Sequence, residues 1–167
     1  MSDQSSVGRE RDLRGRPLNA RPRDGLGRPL PRGAEGVERV PDGLTLPADE
    51  SLTMAQQLLD DGRPFHAHEV LEGTWKAAPA NERDLWQGLA QLAVGLTHAL
   101  RGNPDGAARV IERGRDRIAP YRDQPPYSID VGGLVTWADT LMERLQGPAP
   151  LDTDGIPTIA VPKLRNG

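Results

Sequence analysis

The chain has 167 residues, a formal net charge of −3 at pH 7 and no cysteine. This length suits one modest domain with appendages, because a single core is comfortable at about 100 to 150 residues. The nearly balanced charge argues against nucleic acid or an anionic membrane as a partner, and the lack of cysteine excludes disulfides, thiolate metal sites and cysteine nucleophiles.

Residues 1–47 are rich in arginine, glycine and proline and contain no aromatic residue. Because they also lack apolar periodicity, we predict an extended or disordered arm. It either docks on an acidic surface or on nucleic-acid phosphate, or it wraps its own domain or floats free. The start, MSDQSSVGRERD, lacks the apolar stretch of a signal peptide. No run in the chain reaches the roughly 18 apolar residues of a membrane span. We therefore expect a cytoplasmic protein without a membrane segment.

Residues 48–147 follow the period of amphipathic α-helices and are predicted to form the folded domain. Apolar positions and helix breakers divide this range into five helices. Pro64 is expected in the first turn of the second helix, and Asn81, Asn103 and Asp130 are expected to cap the third, fourth and fifth. Five helices with short connections predict an all-α fold, a small helical bundle.

Residues 148–167 contain β-branched residues but also several prolines, so an independent sheet is not expected. We predict an extended C-terminal tail. Its apolar side chains are candidates for packing against the bundle: Ile156, Ile159, Val161 and Leu164.

The stretch FHAHEVLEGTW, residues 65–75, concentrates the chain's candidate chemistry. On a helix with roughly 100° per residue, His68 and Glu72 lie one turn apart on the same face. Three apolar side chains share that face: Phe65, Leu71 and Trp75. His66 points away from His68, so these two histidines are not expected to chelate one ion.

A carboxylate one turn from an imidazole orients the ring and stabilises its protonated form, while burial opposes protonation. His68 and Glu72 are therefore predicted either as a catalytic acid–base pair or as two ligands of a divalent metal ion. Glu69 is a candidate base if its edge of the helix also faces a cleft. Lys76 can pair with Glu72 and compete with a metal. The alternative is a His–Glu hydrogen bond that only fixes helix packing.

The third helix carries an apolar face of leucines and, beside it, a stripe of Gln87, Gln91, Val94 and His98. If this helix runs antiparallel to the second, part of the stripe faces His68 and Glu72. We therefore predict His98 as a third metal ligand and Gln91 as a supporting group of the pocket. The alternative for His98 is a surface histidine near the end of the helix, where the helix dipole favours its cation.

The block HAHEVLEGTW, followed by LWQGLAQLAVGLTHALRGN, resembles the family called domain of unknown function 309, a group of small bacterial and archaeal helical proteins. The family pattern is a histidine, three free positions, a glutamate, two free positions and an aromatic residue, and His68, Glu72 and Trp75 match it. The resemblance covers about residues 50–120. It implies a helical fold and metal binding, and some members carry the label of metal-dependent hydrolases without an established reaction.

Two functional classes remain open, and the residues do not decide whether the protein is an enzyme. In the first, a pocket between the second and third helices, walled by Phe65 and Trp75, binds a small molecule or a divalent metal ion, and a metal-dependent hydrolase is one form of this class. In the second, the protein is a helical interaction module with a protein partner, and its His/Glu cluster is structural. A homo-oligomer is compatible with both, and the substrate and the metal are not determined.

Overall fold

The computed structural model describes residues 45–146 and 159–166. The predicted N-terminal arm, apart from residues 45–47, and the first part of the predicted tail lie outside the described residues, as does Ile156. The described part of the chain contains five α-helices and no strand, which confirms the predicted all-α bundle.

The helices follow one another with short connections. Their bounds are α1 (Ala48–Asp60), α2 (Pro64–Ala77), α3 (Arg83–Leu100), α4 (Pro104–Ile118) and α5 (Val131–Gln146). Two short 3₁₀ turns, Ala119–Tyr121 and Pro126–Ser128, connect α4 to α5. None of the helices in the described ranges has the length and apolar character of a membrane-spanning helix.

Helix α3 is the centre of the bundle and lies between α2 and α4. Its leucine face is buried as predicted from Leu85 to Leu96 and partly buried at Leu100. Trp86 beside that face is only 1% exposed. Helix α1 packs on α2 and α5 packs on α4, so each outer helix covers one flank of the central three. The stripe predicted on α3 is half-buried, and three of its members, Gln87, Gln91 and Val94, border a pocket that α2 also lines.

Two of the three predicted helix caps are present. The Oδ1 atom of Asn103 accepts a hydrogen bond from the Gly106 N–H at 3.1 Å, and the Oδ1 atom of Asp130 accepts one from the Gly133 N–H at 3.1 Å. The predicted Asn81 cap is wrong. Helix α3 begins two residues later, at Arg83, so the side chain of Asn81 lies one position before the N-cap and caps nothing.

The turns that separate α1 from α2 and α3 from α4 each contain a glycine with left-handed backbone. Gly62 has φ +73° and Gly102 has φ +79°. Residues with a Cβ adopt this conformation only at a cost of roughly 1–2 kcal/mol. Glycine avoids this cost and therefore often follows the end of a helix where the chain reverses.

The C-terminal segment, residues 159–166, lies extended across the bundle. Leu164 is 3% exposed and Ile159 packs partly against the core, as predicted. The prediction for Val161 is wrong, because its side chain is 39% exposed. Side chains alternate along extended backbone, so the inward positions of Pro162 and Leu164 turn Val161 outward.

Candidate functional site

The site is built on the edge of α2. The side of this helix that contains Ala67, Val70 and Leu71 is fully buried against the core. His68 and Glu72 lie beside that buried side rather than on it, and their side chains are 22% and 33% exposed. They are therefore partly shielded from water, which strengthens their electrostatic interaction, and they remain accessible to a molecule from solvent.

Three charged or ionisable side chains follow one another along this edge at intervals of four residues. The His68 Nε2 atom lies 3.2 Å from Glu72 Oε2, and the Lys76 Nζ atom lies 3.1 Å from Glu72 Oε1. Each carboxylate oxygen thus has its own partner. Because Lys76 is 68% exposed, its pairing with Glu72 is weak and easily replaced by water.

The pKa of His68 is lowered from its ordinary value of 6.5. Burial is the largest cause, because it disfavours the imidazolium. The Glu72 carboxylate and the backbone of Phe65 act in the opposite direction, and the positive charge of Lys76 adds a smaller decrease. His68 is therefore neutral near pH 7 and able to accept a proton, with a carboxylate in place to stabilise the resulting cation.

The His68–Glu72 pair opens onto a pocket of about 150 Å³ between α2 and α3. The α2 side is formed by His68, Glu72 and Trp75. The α3 side is formed by residues of the predicted stripe and one alanine: Gln87, Ala90, Gln91 and Val94. Gln91 lines the pocket as predicted from the sequence. Gln87 and Val94 were on the same stripe but were not identified as site residues.

Two polar atoms at this site are buried without a hydrogen-bond partner among the described residues. They are the Nδ1 atom of His68 and the Oε1 atom of Gln91. The Phe65 backbone favours the charged form of His68 but does not meet the geometry of a hydrogen bond to Nδ1. An orphaned buried polar atom costs about 1–3 kcal/mol, which a bound group able to donate a hydrogen bond to Gln91 would recover.

His98 does not line this pocket. Its Nδ1 atom lies 3.4 Å from the Asn103 side-chain nitrogen, at the junction of α3 and α4. His98 is two turns, or roughly 10 Å, beyond Gln91 along the helix axis. The Arg101 guanidinium lies 5.9 Å from the Phe65 ring centroid, which places the end of α3 beside the start of α2 rather than beside Glu72.

Phe65 and Glu69 were also predicted at the site, and neither lines the pocket. The Phe65 ring instead contacts the His68 ring, with 5.7 Å between the ring centroids, and so supports the imidazole from the side. His66 is 1% exposed and packs edge-on against Phe65. It is thus a core residue, and it points away from His68 as the helical geometry requires.

The three predicted metal ligands do not meet. Within the ranges the structure describes, no group of three or more His, Cys, Asp or Glu side chains is arranged to hold a metal ion. His68 Nε2 and Glu72 Oε2 could be two ligands of one ion, but a catalytic zinc site usually has three protein ligands. The residues present therefore do not by themselves fit a resident catalytic metal.

The fold and the site define a small helical-bundle protein with a pocket between two antiparallel helices, lined by both apolar and polar side chains. Residues 52–110 match the model of a family described as Domain of unknown function (DUF309), which confirms the resemblance inferred from the sequence. This segment runs from α1 into α4 and contains every residue that lines the pocket.

"Uncharacterized protein YpuF" of Bacillus subtilis (strain 168) is similar to this chain, with 34% identity over 84 residues. The matching part is 49% of this chain and 48% of that protein, so the chain spans about half the length of this relative. No solved structure matches the chain significantly.

Proposed function

We propose that the protein binds the reactive end of a small polar molecule in the pocket between α2 and α3, where His68 and Glu72 act as an acid–base pair. The observation that carries this proposal is the shared pocket. A neutral imidazole, a carboxylate and an unsatisfied amide oxygen of Gln91 all border one opening of about 150 Å³.

The size of the pocket limits the ligand. Pockets for drug-sized molecules measure about 300–1,000 Å³, so this one is suited to a small group such as an acyl carbon with its nucleophile. Trp75 and Val94 give it an apolar wall, and Gln91 offers an acceptor that would orient an N–H or O–H of the ligand.

The pair is suited to removing a proton from water or from a hydroxyl group. His68 is neutral because burial lowers its pKa, and the Glu72 carboxylate 3.2 Å away offsets the charge that forms when the ring takes a proton. Lys76 lies 3.1 Å from the other carboxylate oxygen and leaves Oε2 of Glu72 facing the ring. None of these steps uses a metal ion.

Hydrolysis of p-nitrophenyl acetate tests the proposal, because its acetyl group is small enough for the pocket. We expect His68→Gln to lower turnover at pH 7.5 by roughly 10²-fold, the lower end of the contribution of a general base. The wild-type rate should fall as pH decreases through the lowered His68 pKa, since only the neutral ring accepts a proton.

The matched control is His98→Gln, which removes a histidine from the same bundle but outside the pocket. It should leave turnover unchanged. If His68→Gln only lowers the melting temperature, and its turnover equals that of His98→Gln, the cluster is structural and the proposal fails. That result would support the alternative, a non-catalytic interaction module.

The divalent metal ion expected from the sequence is tested separately, by metal analysis of protein purified without a histidine tag. A stoichiometric ion that is lost in His68→Ala would support metal binding, and a metal-free wild-type protein would contradict it. The cytoplasmic location and the homo-oligomer stay predictions.

A further inference from the structure

The C-terminal segment, residues 159–166, is held by hydrogen bonds to its backbone as well as by contacts of its side chains. The Leu164 N–H donates to Gln56 Oε1 at 2.9 Å, and Gln56 Nε2 donates to the Pro162 carbonyl at 3.1 Å. One carboxamide of α1 thus binds both a donor and an acceptor of the extended chain.

A second set of backbone contacts comes from the turn before α5. The Asp130 N–H donates to the Leu164 carbonyl at 2.9 Å, and the Asn166 N–H donates to the Ser128 carbonyl at 3.1 Å. These bonds pair the segment with the turn as a short antiparallel bridge. Adding an extended segment to an exposed backbone edge is a common mode of peptide recognition.

The side chains of the segment alternate between apolar anchors and basic groups. Pro162 and Leu164 are buried. Lys163 Nζ lies 3.3 Å from Asp60 Oδ1, and Arg165 Nη2 donates to Thr53 Oγ1 at 2.7 Å. Exposed ion pairs contribute little affinity, so the buried anchors and the backbone bonds hold the segment. Asp60 and Asp49 of α1 face its two basic residues, at 3.3 Å from Lys163 and 3.5 Å from Arg165.

Residues 159–166 do not fill the space between α1 and the turn before α5. A cavity of about 860 Å³ remains beside the segment, bordered by α1, the turn at Tyr127 and Ser128, and the segment itself. The segment therefore lies along an open groove on the surface and is anchored in it by the buried side chains of Pro162 and Leu164.

We propose that α1 and the turn before α5 form a peptide-binding groove that selects extended segments of the pattern proline, basic, leucine, basic, and that residues 159–166 are its ligand within the same chain. Any other peptide of this pattern must displace this segment. The groove shares no lining residue with the pocket at His68, so the proposal does not depend on the acid–base pair.

Limited trypsin digestion of the full chain tests the cis contact, because Lys163 and Arg165 are cleavage sites within the segment. Gln56→Ala should speed cleavage at these two bonds by roughly tenfold, since it removes two hydrogen bonds to the segment. Gln57→Ala is the matched control, because Gln57 is an exposed neighbour on α1. Equal cleavage rates in the two variants would overturn the proposal.

Binding of a labelled peptide, IAVPKLRN, tests the groove itself. In full-length Leu164→Asp the released segment leaves the groove open, and we expect saturable binding, with no binding of the peptide IAVPKDRN. The wild-type chain should bind at least tenfold more weakly, because its own segment competes at an effective concentration of about millimolar. A folded Leu164→Asp chain that ignores both peptides would overturn the proposal. If that variant does not fold, the trypsin comparison decides.

Discussion

Gly88→Ala is expected to destabilise the protein by about 1–3 kcal/mol, although the same change in an ordinary helix interior would stabilise it by about 0.5–1 kcal/mol. A Cβ at this position would lie 2.6 Å from the Ile118 Cγ2 atom and 2.9 Å from the Gly114 carbonyl oxygen. The side chain of Ile118 is fully buried and the carbonyl belongs to α4, so neither can move without separating the two helices.

The control for this prediction is Gly132→Ala in α5. A Cβ there would approach Arg122 Nε no closer than 3.6 Å, which is ordinary contact with a flexible side chain. Gly132→Ala should therefore be neutral or slightly stabilising. Urea denaturation followed by circular dichroism gives both values, and equal stabilities of the two variants would show that α3 and α4 do not approach as closely as described.

Trp86→Ala should have the largest effect on stability, with a loss of about 3–5 kcal/mol. Its side chain is the largest of the fully buried ones, and its Nε1–H donates to Glu82 Oε1 at 3.2 Å. Truncation would leave a cavity where the indole now packs, and the surrounding structure would relax into it only in part.

Trp75→Ala separates a pocket residue from a core residue. Trp75 is half-buried and lines the pocket, so its loss should cost clearly less stability than that of Trp86, and it should lower p-nitrophenyl acetate turnover. Denaturant unfolding and turnover measured on both variants check this. A Trp75→Ala variant as unstable as Trp86→Ala would place Trp75 in the core and remove it from the site.

Features within one helix could be predicted from the sequence, because helical geometry fixes the positions of residues four apart. The arrangement of His68, Glu72 and Lys76 follows from their spacing alone, and so does the separation of His66 from His68. The caps at Asn103 and Asp130 are equally local.

Features that depend on how two helices meet could not be predicted in the same way. His98 shares a stripe with Gln91, but the axial offset of α3 against α2 decides which of them reaches the pocket, and no local spacing encodes that offset. The close approach at Gly88 likewise requires knowledge that α4 crosses there.

The backbone conformation just before α5 could not be predicted from the local sequence either. Tyr127 and Ser128 both have φ +58°, a left-handed conformation that neither residue favours. It is held by contacts distant in sequence: the Tyr127 ring lies 5.9 Å from the Trp86 ring, and the Ser128 carbonyl accepts from Asn166. A hydrogen bond to Glu82 also raises the pKa of Tyr127.

The central claim is that His68 is a proton acceptor tuned by its burial and by Glu72, and an NMR titration of its imidazole tests this most directly. We expect a pKa below 6.5 in the wild-type chain and a still lower pKa in Glu72→Gln, which removes the group that favours the imidazolium. A His68 pKa at or above 6.5 that does not change in Glu72→Gln would contradict the account.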